Sequence, residues 1–161
     1  MLLFAHTGIT LGTAKIMAGA AGWREKGLPA QLDYRLVLIG SMLPDLIDKP
    51  LGGVILPLGN GRIYSHTLLF LLVMLGLGLI IWFWIGKTWG LVLAGGTALH
   101  HILDLMWQDP QTFLWPLFGW GFPMGDSGVW LSMWLTNLLK PQVLIPELIG
   151  LLILAYGVRL E

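Results

Sequence analysis

Leu99-His100-His101-Ile102-Leu103-Asp104 is the stretch on which the reading of the fold turns. His100 and Asp104 are four residues apart, which on a helix sets them on one face, one turn apart. They lie in an apolar run, residues 88–107, that follows Lys87 and reads as a membrane span. Ionisable side chains are costly at membrane depth, so they mark sites there. Only four histidines occur, His6, His66, His100 and His101. The fold therefore has to be asked which other polar residues can reach this helix.

Composition supports a membrane reading. Of 161 residues, 56% are hydrophobic and 11% charged, with a mean hydropathy of +0.77; soluble domains carry about 25% charged residues. The formal net charge is zero, with no basic patch, which speaks against a nucleic-acid partner. The absence of cysteine excludes disulfides, thiolate chemistry and zinc–thiolate sites. The expected fold is all-α: a polytopic membrane helix bundle of four to six short transmembrane or re-entrant helices, one integral membrane domain over residues 1–161.

Outward from the central stretch, the apolar segments alternate with polar ones. Residues 2–22 are rich in Gly and Ala, which favours close helix packing. They lack a basic n-region and a cleavage site, so a retained span is expected. Trp23 to Arg35 reads as a polar loop. Residues 36–43 are apolar again and run into Pro44-Asp45-Leu46-Ile47-Asp48-Lys49-Pro50. Arg35 to Asp48 would make ~21 Å of helix, short of a ~30 Å hydrocarbon core. Two prolines and two acids there predict a broken backbone lining a cavity. Residues 51–65 form a Gly-rich connection, and Thr67 to Gly86 is a 20-residue span without a charge. Residues 108–127, rich in Pro, Gly and Trp, suit an interfacial loop; 128–139 suit a short interfacial helix and 143–158 a last span.

If each stretch crosses once, with the N-terminus outside, the polar outliers meet. The first span enters at His6, the second delivers Asp45 and Asp48, and the third leaves at His66. The fourth climbs from Lys87, bringing His100 ~20 Å and Asp104 ~26 Å along. All six then share one depth band. Arg24, Lys26, Arg35, Lys87 and Arg159 fall inside against Lys49, Arg62 and Lys140 outside, a weak positive-inside signal.

Imidazole and carboxylate without cysteine suit a divalent ion in a catalytic setting, Zn²⁺ first, with Mn²⁺ or Fe²⁺ as alternatives. Such an ion would offset the desolvation of the aspartates and activate a water for hydrolysis. The competing reading pairs each acid with a nearby base, Asp48 with Lys49 and Asp104 with His100. Asp45 and Asp48, three apart, can both ligate, or one can serve as general base. Arg62 can clamp a phosphate oxygen or reach lipid headgroups. His101 points about 100° away from His100 and stands as the reserve ligand. Gly125-Asp126-Ser127-Gly128 matches a serine-protease signature, but no histidine lies near it in sequence.

Leu43-Pro44-Asp45-Leu46-Ile47-Asp48-Lys49-Pro50, Arg62-Ile63-Tyr64-Ser65-His66-Thr67 and His100-His101-Ile102-Leu103-Asp104, in this order after an N-terminal His6, carry a resemblance. Together with Trp115-Pro116, the pattern resembles the membrane-bound metal-dependent hydrolases typified by the LexA-regulated inner-membrane hydrolase. The resemblance covers roughly residues 1–125. It implies metal ligation by His6, Asp45, His66, His100 and Asp104 in a prokaryotic inner membrane. That family is distantly similar to zinc phospholipase C and single-strand nuclease enzymes, which implies hydrolysis of a phosphate ester such as a lipid phosphate, with Asp48 or Arg62 assisting. An ion or metal transporter and a non-catalytic scaffold stapled by a metal remain the alternatives.

Overall fold

The computed structural model describes residues 3–20, 32–56, 58–126 and 130–157. Most of the polar segment Trp23–Arg35, with Arg24 and Lys26, lies outside the described residues, as do Ser127, Gly128 and Arg159. The described residues are helical, with no strand among them. They form α1 (Leu3–Ala20), α2 (Tyr34–Pro50), α3 (Leu68–Ile85), α4 (Trp89–Leu103), the short α5 (Pro110–Phe113), α6 (Trp130–Leu138) and α7 (Pro141–Gly157).

Local chemistry sets several of these limits. Asp33 caps α2 by accepting the Arg35 N–H at 3.0 Å, and the Thr67 hydroxyl caps α3 by accepting the Phe70 N–H at 3.0 Å. Gly86, at φ +71°, adopts the left-handed conformation that ends α3. Of the stretch 143–158, the described residues are helical, as part of α7. The fourth span is shorter than residues 88–107: Asp104 is its C-cap, and Leu105 at φ +53° turns the chain into a 3₁₀ turn at Met106–Gln108.

Helix α4 is central. It packs on α2 and α3, α1 touches both α2 and α4, and α7 covers α1. The contact between α2 and α4 is backbone to backbone: a Cβ on Gly40 would run into the Leu93 carbonyl, and one on Gly96 would meet the Val37 carbonyl and the Ser41 nitrogen. Small residues permit that approach.

One expectation changes, and one is met in part. The backbone does not break at Pro44, and α2 runs unbroken from Tyr34 to Pro50 before a π-helical turn at Leu51–Ile55. Pro44 has no N–H for the Gly40 carbonyl; the Thr97 hydroxyl on α4 donates to it instead, at 3.1 Å. The neighbouring helix thus supplies the bond that proline removes. Second, among the described residues one helix, Leu68–Ile85, is long and apolar enough to cross a membrane. Only Gly78 of it is buried. Trp89–Leu103 and Pro141–Tyr156 are apolar but shorter.

Candidate metal centre

The N-terminal end of α1, the C-terminal half of α2, the 3₁₀ turn Tyr64–His66 and the end of α4 carry the polar outliers. His6, Asp45, Asp48, His66, His100 and Asp104 are all buried. Five of them converge. Two donor triads, His6/His100/Asp104 and Asp45/His66/His100, share His100, and within each triad the donor atoms lie within 4.8 Å of one another.

What turns these donors inward is what holds their far sides. His100 Nδ1–H donates to the Ser41 carbonyl at 2.6 Å, and His66 Nδ1–H donates to Asp48 Oδ2 at 2.7 Å. Both partners only accept, so each ring keeps its proton on Nδ1 and its lone pair on Nε2. The two Nε2 atoms then face each other at 3.2 Å. Two lone pairs at that distance repel unless a proton or a cation lies between them.

The carboxylates follow the same plan. Asp45 Oδ2 receives Lys49 Nζ at 2.6 Å, while its Oδ1 stands 3.6 Å from His66 Nε2 and 4.0 Å from His100 Nε2. Asp104 Oδ2 receives Arg62 Nη2 at 2.7 Å, and its Oδ1 stands 3.1 Å from His6 Nε2. His6 Nδ1 has no hydrogen-bond partner, and Nε2 has none besides this approach to Asp104. A buried polar group without one is rare in folded proteins.

These features fit a divalent cation. Four donors at about 2.1 Å from a tetrahedral ion stand about 3.4 Å apart, and the separations here run from 3.1 to 4.0 Å. The set is nitrogen and oxygen only, with ring tautomers fixed by outer acceptors.

Asp48 stands apart from the convergence. Both its oxygens are taken up behind His66, by the N–H groups of Ile63 (2.8 Å), Ser65 (3.1 Å to each oxygen) and His66 (3.1 Å), besides the His66 ring. It orients the His66 ring rather than facing the cluster, which is not the place expected for a general base. Its expected pairing with Lys49 is also replaced, since Lys49 goes to Asp45. His101, the reserve ligand, donates Nε2–H to the Ser65 carbonyl at 3.1 Å and sets its ring edge-on to Phe113. It braces the turn that carries His66.

Three contributors escape the sequence reading. Lys49 looked like a partner for Asp48, and only the helical i, i+4 spacing pointed to Asp45. The Ser41 carbonyl is backbone and leaves no residue-type signal. Glu147, from the start of α7, accepts the N–H groups of Phe4 (2.9 Å) and Ala5 (3.3 Å), capping the first turn of α1 next to His6. An acid buried near the start of an apolar segment was its one trace.

An aromatic cluster adjoins the turn that carries His66. Tyr64 meets Trp115 and Phe122 edge-on at 5.5 and 4.8 Å, and Trp115 stacks on Phe122. Asn60 ties the Arg62 loop to this segment, accepting the Arg62 N–H and donating to the Pro123 carbonyl, at 2.9 and 2.8 Å. Beyond it, Leu117, Phe118, Trp120 and Met124 are exposed.

No curated protein and no solved structure matches the chain. Residues 1–160 match the family described as the YdjM inner membrane protein. An inner-membrane setting agrees with the lipid-facing α3 and with a polar cluster shielded by apolar helices, and the chain belongs to the YdjM inner membrane protein family.

Proposed function

We propose that this chain is a multi-pass inner-membrane hydrolase of phosphate esters, folded as one domain, with His6, Asp45, His66, His100 and Asp104 holding a divalent metal near the outer face. The observation that carries the reading is the facing pair of Nε2 atoms on His66 and His100, each with its proton committed to an outer acceptor. Zinc suits the donor set first, with manganese or iron as alternatives. When bound, such an ion polarises a phosphoryl oxygen and makes water a nucleophile near neutral pH.

The remaining chemistry belongs to the chain. Arg62, 41% exposed and fixed to Asp104, stands where it can hold a phosphate oxygen at the edge of the site. Asp48 holds the His66 ring in register and so acts as a positioning residue. The donors are buried, as are Ala5, Thr97 and Ile63 on the same segments, which limits the access of bulk water. The exposed Leu117, Phe118 and Trp120 beside the aromatic cluster suit contact with lipid, so a lipid phosphate can present its headgroup laterally.

Transport would call for polar groups continuing to the opposite face. Lys15, the candidate there, lies over the Tyr34 ring at 5.3 Å. A purely structural staple would call for a closed shell, whereas the Arg62 side chain reaches the surface.

The test is elemental analysis of the detergent-purified chain beside His100→Ala. Wild type should carry a transition metal and the variant should lose most of it. A metal-free wild type that takes up none from added Zn²⁺, Mn²⁺ or Fe²⁺ would sink the proposal. With metal present, hydrolysis of phospholipids and isoprenoid phosphates by wild type, and not by His100→Ala, tests the reaction class.

A further inference from the structure

We infer that Lys49 and Arg62 together form a two-cation seat for the phosphate group of the ligand, with Lys49 a binding residue rather than only a partner of Asp45. This rests on the metal-centre reading above and adds to it. The two bases are placed alike. Each donates to a carboxylate of the donor cluster, Lys49 to Asp45 Oδ2 at 2.6 Å and Arg62 to Asp104 Oδ2 at 2.7 Å, the latter oxygen also standing 4.0 Å from His66 Nε2. Each therefore stands one carboxylate away from the donors. They come from different segments, the end of α2 and the loop before α3, at the same end of the molecule.

Exposure separates them from simple counter-charges. The carboxylates they hold are 4–5% exposed, but Lys49 is 26% and Arg62 41% exposed. Both side chains thus reach from the buried cluster to the surface. An ammonium carries three donors and a guanidinium five, so each can hold its carboxylate and an oxygen of an anion at once.

Charge points the same way. A divalent cation among the donors would raise the charge of the site by two, which favours an anion at its edge. A phosphate group, with several oxygens around one centre, can span two cations and a metal, whereas a single carboxylate offers only two oxygens.

The test uses the full-length, metal-loaded chain in detergent, with inorganic phosphate as probe, by calorimetry, and metal content measured on the same samples. Lys49→Met should keep its metal and weaken phosphate binding about tenfold or more. Lys49→Arg should stay within about threefold of wild type, since it keeps the charge. Lys49→Met binding phosphate like wild type overturns the inference. So does loss of metal from Lys49→Met, which would make Lys49 only a brace for Asp45. A wild type that takes up no metal removes the centre and this inference together, whereas bound metal with phosphate indifferent to Lys49 removes the inference alone. Phosphatidic acid in mixed micelles displacing phosphate far better than glycerol 1-phosphate identifies the occupant as a lipid headgroup. Equal displacement identifies a soluble phosphate ester, and both results keep the seat.

Discussion

Asp48 shows how much a single carboxylate can organise from behind the donor cluster. It gathers three backbone N–H groups and the His66 ring, all from residues 63–66. Asparagine in its place would offer one acceptor oxygen and turn an amide N–H₂ toward those donors. Asp48→Asn should therefore cost about 1–3 kcal/mol of stability and weaken metal binding about 10–100-fold. Thermal unfolding in detergent and titration against a chelator read the two effects separately. Unchanged metal affinity would reject the positioning role. The sequence made His6, Asp45, His66, His100 and Asp104 visible because each is a polar residue in an apolar setting. It could not rank Asp45 against Asp48. Three residues apart on α2, they share nearly one face, and what separates them is the turn at residues 63–66 folding over Asp48. That contact is non-local and has no period to read.

At the level of elements, the site depends on how closely α4 lies against α2. The glycine contact brings the Ser41 carbonyl to His100 Nδ1 and the Gly40 carbonyl to the Thr97 hydroxyl. Gly40→Ala should push the helices apart, lowering stability by about 1–3 kcal/mol and weakening metal binding as Ser41 draws away from His100. Gly95→Ala is the control, because a Cβ there meets nothing within 4 Å. Melting temperature and metal affinity should both fall for the first and hold for the second. Equal behaviour of the two variants would show that the close approach is not what fixes His100. The helices themselves were legible as apolar runs, and α3 differs from its expected span by one residue at each end. The continuity of α2 was not legible. Pro44 signals a break in one dimension, and the hydroxyl that makes the break unnecessary comes from a residue 57 positions away from Gly40.

For the molecule as a whole, the start of α1, the end of α2, the start of α3 and the end of α4 meet at one end. Counting antiparallel crossings from the sequence reaches the same gathering, because alternating direction is all it requires. Which face of the membrane that end occupies depends on α3 crossing and on loop charge. The absence of cysteine makes both testable with single thiols. Gln111, exposed on α5 near the site, and Lys87, exposed in the turn between α3 and α4, lie at opposite ends of the long apolar helix. With a membrane-impermeant maleimide on intact spheroplasts, Gln111→Cys should react at once. Lys87→Cys should react only after permeabilisation. The reverse pattern would place the metal centre at the cytoplasmic face and leave its chemistry intact. Reaction of both thiols from the same side would mean that α3 does not cross, and the proposed multi-pass arrangement would fall with it.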